Sequence, residues 1–312
     1  MPAFFCANFK EKTMTNQLPL ICVNNQVCDD VYACDRGFSF GDGVFETLRW
    51  QRGSAPLLEY HLERLELGCQ RLAISLSLTR LNGELQAFWQ RLAPIADDAV
   101  VKIQVTRGEG GRGYASDPDA FPTIVISAFE ARDFTEQRER GLELGFCRQP
   151  ISSGVMLAGI KHLNRLENVL LKQEAVEQGY HDALVCDADG HLIETTAANL
   201  FLLKEGKLVT PSLNRAGVAG VIRRLIIDEL APELGVEVVE RHCPLGELWQ
   251  ADELFICNSL MGVVPITRID FDDQELFFGA GLAESSVGHR LQVAVEKRYQ
   301  ASSTVEEDFT LS

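Results

Sequence analysis

The sequence has no CxxC pair, no HExxH and no cysteine–histidine cluster at metal-ligand spacing, although it holds nine cysteines and six histidines. An odd set of unpaired cysteines reads as reduced thiols in a cytosolic protein, not as a disulfide framework or a zinc site. No apolar run is long enough to span a bilayer. The first residues carry Phe4, Phe5 and Phe9 but no basic segment ahead of a long apolar core, so no secretory signal is expected. Positive charge is scarce: 29 Lys and Arg stand against 45 Asp and Glu, a net −16. That balance argues against nucleic acid and against anionic membrane surfaces as partners. An anionic small-molecule substrate would need local arginines to overcome it. Internal repeats and low-complexity tracts are also missing.

What is present is an ordinary soluble mixture. The 312 residues are 46% hydrophobic and 24% charged, enough for a large core in one or two domains. Residues 1–19 are expected to form a partly mobile extension, with Met14 an alternative start. Leu20 to Val27 reads as a strand turning at Asn24-Asn25. The stretch Asp35 to Arg49 holds three glycines and a strand over Val44 to Leu48. It is equally a structural turn or a loop that brings Glu46 and Thr47 to a pocket. Helical periodicity covers Glu59 to Ile74 and Leu81 to Ile95. Arg64, beside the apolar face of the first, reads on its own as a solvated arginine. Val101, Ile103 and Val105 alternate with Lys102 and Gln104, the pattern of a half-buried strand.

That strand leads into Arg107-Gly108-Glu109-Gly110-Gly111-Arg112-Gly113-Tyr114, which has neither the spacing nor the lysine of a P-loop. Its arginines could grip carboxylates. A further strand covers Thr123 to Phe129. The polar segment Glu130 to Gln137 reads as a linker, giving a small α/β domain over 20–131 and a larger one over 132–312 with an acidic tail. In the second part, strands are expected at 142–147, 182–186, on both sides of a bend within 191–203, and at 207–210, 236–240, 253–257 and 263–268. Helices are expected up to Gln178, over 219–231, briefly over 244–250, and over 285–299.

The pivotal stretch is Gly159-Ile160-Lys161-His162-Leu163-Asn164-Arg165-Leu166-Glu167. A lysine closes an apolar approach, and a helical run follows. Holding a lysine amine neutral at pH 7 costs about 4.6 kcal/mol against its ordinary pKa. Desolvation can supply that, and so can conversion of the amine to an imine. Alone, such a lysine could equally be a snorkelling side chain.

Three segments in order, Arg107 to Tyr114, Lys161 to Glu167 and Ile256-Cys257-Asn258-Ser259-Leu260-Met261, resemble the fold-type IV enzymes that depend on pyridoxal phosphate. That family includes branched-chain and D-amino acid transaminases and aminodeoxychorismate lyases, and the lyase branch is most similar. The resemblance spans about Val23 to Arg268. It implies an α/β architecture with mixed sheets in two domains, a homodimer, and pyridoxal 5'-phosphate as cofactor. It implies that Lys161 holds the cofactor covalently and that Glu194 faces its pyridine nitrogen. Arg64, the Val221 and Ile222 N–H groups and the Ser259 hydroxyl are implied at the phosphate. Arg107, and by extension Arg112, are implied at substrate carboxylates, and Thr47 at the leaving group. Many transaminases of this fold place a tyrosine a few residues after the lysine. Here that neighbourhood reads His162 to Leu166, which favours the lyase branch over an aminotransferase, the alternative.

Overall fold

The computed structural model describes residues 17–302, apart from Arg112 and Asp272. The expected extension therefore lies mostly outside the described residues, as do Arg112 and the acidic tail. The chain is an α/β fold of two mixed-composition layers, built on a five-stranded and a ten-stranded sheet.

The first sheet comes from the first 130 residues. Strands β1 (Leu20–Val23) and β2 (Gln26–Val27) form a hairpin. Its turn residues Asn24 and Asn25 take φ of 49° and 64°, the left-handed region that asparagine tolerates best after glycine. Helix α1 (Arg36–Phe40) follows, then β3 (Gly43–Gln51), α2 (Leu58–Arg71), α3 (Leu78–Leu92), β4 (Asp98–Thr106) and β5 (Thr123–Glu130). The sheet order is β2-β1-β5-β4-β3, antiparallel throughout. Helices α2 and α3 lay Leu65, Cys69, Leu81, Leu85 and Phe88 into one core with Val44 and Leu48 of β3. The strand period of two then points Phe45 and Thr47 to the opposite face of β3.

Helix α4 (Thr135–Arg140) leads to β6 (Leu142–Phe146), α5 (Leu166–Glu177), β7 (Asp182–Cys186), β8 (His191–Thr195), β9 (Asn199–Lys204) and β10 (Lys207–Pro211). Helix α6 (Val221–Leu225) runs through a π-turn at Ile226–Leu230 into α7 (Ala231–Glu233). Strands β11 (Val238–Arg241), β12 (Cys243–Pro244), β13 (Glu253–Asn258), β14 (Gly262–Phe271) and β15 (Gln274–Phe277) and helix α8 (Val287–Ser302) complete the chain. The large sheet runs β11-β10-β9-β13-β14-β6-β7-β8-β12, with β15 beside β14. Ile222 and Leu225 pack under Phe201 and Phe255, and α8 covers them with Leu291 and Val295. Burying each side chain stabilises the helix by roughly 2 kcal/mol, which fixes where its N-terminus points.

Two short helices depart from the sequence reading. α1 sits where a glycine-rich turn was expected; Asp35 caps it by accepting the Gly37 N–H at 2.7 Å, and Gly41 closes it at φ 65°. α4 sits in the expected linker and buries no residue, so it left no apolar period to read.

Candidate active site

The Lys161 segment is wedged between the two sheets. The Phe45 N–H donates to the Lys161 carbonyl at 2.9 Å, and the Leu163 N–H to the Gly43 carbonyl at 2.9 Å. On the other side, Gly159 N–H donates to the Gly217 carbonyl and Ala219 N–H to the Gly159 carbonyl. Backbone pairing on both flanks thus leaves the Lys161 side chain one direction, into a cavity of about 450 Å³. Phe45, Arg64, Glu194, Asn199, Val221 and Ser259 share that cavity with it. The volume suits a small-molecule site.

Lys161 Nζ lies 4.3 Å from the Phe45 ring centroid. Burial, with Arg64 adding repulsion, brings its amine down to about 8. A usable fraction is therefore unprotonated near neutral pH. Glu194, on β8, is 5% exposed. Burial pushes its carboxyl up to about 7, although the Val218 N–H donates to Oε2 at 3.0 Å and Arg165 and Lys161 favour the anion. A further cation facing it would bring it fully to carboxylate. Gly217 permits this contact: it has φ 83°, and a Cβ there would meet Ile193 at 2.9 Å and Glu194 Oε2 at 3.2 Å.

Arg64 projects from α2 to the cavity wall and is held from behind. Its Nε donates to Glu46 Oε1 at 2.8 Å, its Nη2 to Glu46 Oε2, and its Nη1 to the Ala219 carbonyl at 2.9 Å. His61 Nδ1 sits 2.6 Å from Glu46 Oε2. Burial alone would raise Glu46, but the Arg64 charge and the hydrogen bonds from His61 and Arg64 outweigh it and hold the carboxyl at about 2. At the same end, Gly220 caps α6. The N–H groups of the first helical turn have no intrahelical acceptor. A Cβ on Gly220 would come within 2.0 Å of Asn199 Oδ1. Val221 lines the cavity, while Ile222, next in the helix, is not among the lining residues and buries its side chain in the core. Ser259 Oγ donates to the Thr47 carbonyl at 2.6 Å, and Asn258 Oδ1 shapes that turn by accepting the Leu260 and Met261 N–H groups.

The structure thus brings Lys161, Glu194, Arg64, Val221 and Ser259 to one cavity, with Ile222 next to Val221 in the helix. Thr47 stands next to it, half-buried on the Phe45 face of β3 but not among the lining residues. Arg107 has another occupation. It donates to Asp42 through Nε at 2.8 Å and Nη2 at 3.1 Å, and to the Ala73 and Leu72 carbonyls at the end of α2. It does not line the cavity. The expected grip on a substrate carboxylate is therefore not formed by Arg107 in this arrangement, because Asp42 and two carbonyls already take its donors.

Other residues went unread. Arg165 lines the cavity, fixed by the Ile160 and His162 carbonyls and by Asn168. Its position four residues after Lys161 was the available signal. Lys102, taken for the solvent face of its strand, is half-buried opposite Thr47, with Nζ 5.1 Å from the Phe45 centroid. Burial lowers its amine from the ordinary lysine value.

The chain belongs to the amino-transferase class IV family, whose profile it matches over residues 43–269. Within that family it is 37% identical over 249 residues to an aminodeoxychorismate lyase from Vibrio harveyi, covering 79% of this chain and 90% of that protein. It is 30% identical to a D-alanine aminotransferase from Listeria monocytogenes, covering 80% and 87%. Its fold superposes on the crystal structure of 4-amino-4-deoxychorismate lyase from Pseudomonas aeruginosa with a TM-score of 0.81 at 38% identity, covering 89% and 98%.

Proposed function

We propose that the chain is a pyridoxal-phosphate-dependent lyase that splits 4-amino-4-deoxychorismate into 4-aminobenzoate and pyruvate, a step toward folate. The observation that carries this reading is the half-buried Lys161, its amine lowered to about 8, in one cavity with Glu194, Arg64 and the start of α6. The lyase relatives at 37% and 38% identity support the choice of reaction. So does the absence of tyrosine from His162 to Leu166.

The residues fit the cofactor. Gly220, crowded against Asn199, leaves the first N–H groups of the helix uncovered for a phosphate. In this reading Arg64, Ser259 and the Val221 and Ile222 N–H groups hold the phosphate, Glu194 meets the ring nitrogen, and Lys161 Nζ makes the covalent link. Pyridoxal phosphate supplies an electron-withdrawing ring that stabilises negative charge on the carbon beside the substrate amine.

With the cofactor bound, Lys161 Nζ would be the base that takes the proton from the substrate carbon bearing the amine. Its lowered pKa keeps part of it ready as a base. Glu194, as a carboxylate, keeps a positive charge opposite it. The enolpyruvyl group departs as the ring becomes aromatic, and Thr47 Oγ1 is assigned to protonate it. Arg165 and Lys172, which line the cavity, and Lys102, beside Phe45 at its wall, are the cations assigned to substrate carboxylates against the −16 background.

The same reading takes residues 20–131 and 132–312 as the two domains. It pairs two chains into a homodimer over the exposed apolar residues Phe38, Val155, Met156, Leu166 and Leu170. It places the enzyme in the cytoplasm, where the eight free cysteines among the described residues would stay reduced.

The test mixes purified protein with 4-amino-4-deoxychorismate, lactate dehydrogenase and NADH. Pyruvate formation, lost in Lys161→Ala, is the expected result. The second reading, an aminotransferase, rests on the 30% identity to a D-alanine aminotransferase. Keto acid formed from D-alanine, with no pyruvate released from the chorismate substrate, would favour it.

A further inference from the structure

Away from the Lys161 cavity, the hairpin between β7 and β8 gathers Asp187, Asp189 and His191, with one ligand atom of each within 4.8 Å of the others. Asp187 is 3% exposed. Its Oδ1 closes the turn by accepting the N–H groups of Asp189 at 3.0 Å and His191 at 2.9 Å. Its Oδ2 is also buried and has no hydrogen-bond partner. His191 Nδ1 is buried and without one too, standing 3.4 Å from Asp187 Oδ1.

Leaving two buried polar atoms unsatisfied side by side is costly, of the order of 1–3 kcal/mol each. The turn itself needs only Oδ1, which an asparagine would supply equally. The second carboxylate oxygen and the imidazole nitrogen therefore call for something else.

Two more groups stand at this spot. Asp189 is exposed and gives Oδ2 to Arg215 at 2.8 Å. The exposed His242 ring lies 5.4 Å from the His191 ring.

We propose that this hairpin is a divalent-cation site, with Asp187 Oδ2, His191 Nδ1 and a carboxylate oxygen of Asp189 as ligands and His242 as a fourth. Imidazole and carboxylate donors together select a borderline cation such as zinc or cobalt over magnesium or calcium. The neighbouring Cys186 and Cys243 are buried in strands β7 and β12 and are not in the ligand cluster. None of the four ligands lines the Lys161 cavity, so the site stands whether or not the lyase reading does. A bound cation would share Asp189 with Arg215. It would tie the hairpin to the segment that runs from Arg215 to Val218 behind Glu194.

The test is calorimetric titration of chelator-treated, full-length protein with zinc, repeated with cobalt to read the donor set from its absorption. Asp187→Asn keeps the Oδ1 acceptor and so the closed turn. His191→Gln leaves the backbone donors of the turn untouched. One cation per chain is expected, with no thiolate-to-cobalt band. Each variant should bind at least about tenfold more weakly. A native chain that binds no cation would overturn the proposal. So would equal binding in both variants, or a cobalt spectrum dominated by thiolate.

Discussion

Arg64 Nε donates to Glu46 Oε1 at 2.8 Å, so the cavity-wall cation proposed to hold the cofactor phosphate is oriented by a carboxylate from the neighbouring strand. Glu46 is fully buried, and breaking such a pair from one side costs about 3–5 kcal/mol. Glu46→Gln should therefore destabilise the fold and weaken cofactor binding, the latter by roughly tenfold or more. The acid behaviour gives a sharper check. A carboxyl depressed from 4.5 to about 2 adds stability that is complete above 4.5 and lost as pH falls toward 2. Urea unfolding of wild type and variant should converge across that window. A constant gap from pH 7 to pH 3 contradicts the assignment.

Glu194 has the opposite sign. Its carboxyl is raised from 4.5 to about 7, so its protonated form is favoured in the cofactor-free fold. Stability from this group is present below 4.5 and lost as pH rises through 7. The difference of 7 − 4.5 corresponds to about 3 kcal/mol at most. Glu194→Gln should stabilise the cofactor-free protein at pH 8 and lower turnover about a hundredfold. Thermal melts with and without cofactor, beside kcat, check both. A variant as fast as wild type would remove Glu194 from the chemistry.

Lys161 must be neutral to capture an aldehyde. With its amine at about 8, the rate of pyridoxal phosphate capture should climb as pH rises and level off above 8. Stopped-flow absorbance between pH 6 and 10 measures this. A rate still rising tenfold per pH unit beyond 9 would show an ordinary solvent-exposed amine.

Ser259 joins the β13–β14 turn to β3 through the Thr47 carbonyl. Ser259→Ala should cost about 1 kcal/mol of stability. It should also loosen the phosphate more than it slows the chemical step. A cofactor titration and a single-turnover experiment separate the two. Unchanged affinity would take Ser259 out of the phosphate site.

Much of this was legible because it is local. Alternation in Val101 to Val105 and helical period in Glu59 to Ile74 mark elements whose burial bears them out. Helix α4 and strand β15 escaped because neither carries a buried residue to set a period. At the site, the resemblance singled out Lys161, Glu194 and Arg64, and the fold brings all three to one cavity. The pairing of Arg64 with Glu46 was not legible, since it depends on α2 crossing β3, with the partners 18 positions apart in the chain. The surroundings of Arg107 were not legible for a related reason. Its donors meet Asp42 and the end of α2, two places that only the folded chain puts beside it. Lys102 looked solvent-facing because strand alternation names two faces without saying what covers each.

The central claim is covalent, and borohydride tests it directly. Protein incubated with pyridoxal phosphate is reduced, digested and mapped by mass spectrometry. A single pyridoxyl modification on Lys161 is the predicted result. Modification of another lysine instead, or none at all with Lys161 intact, would contradict the account.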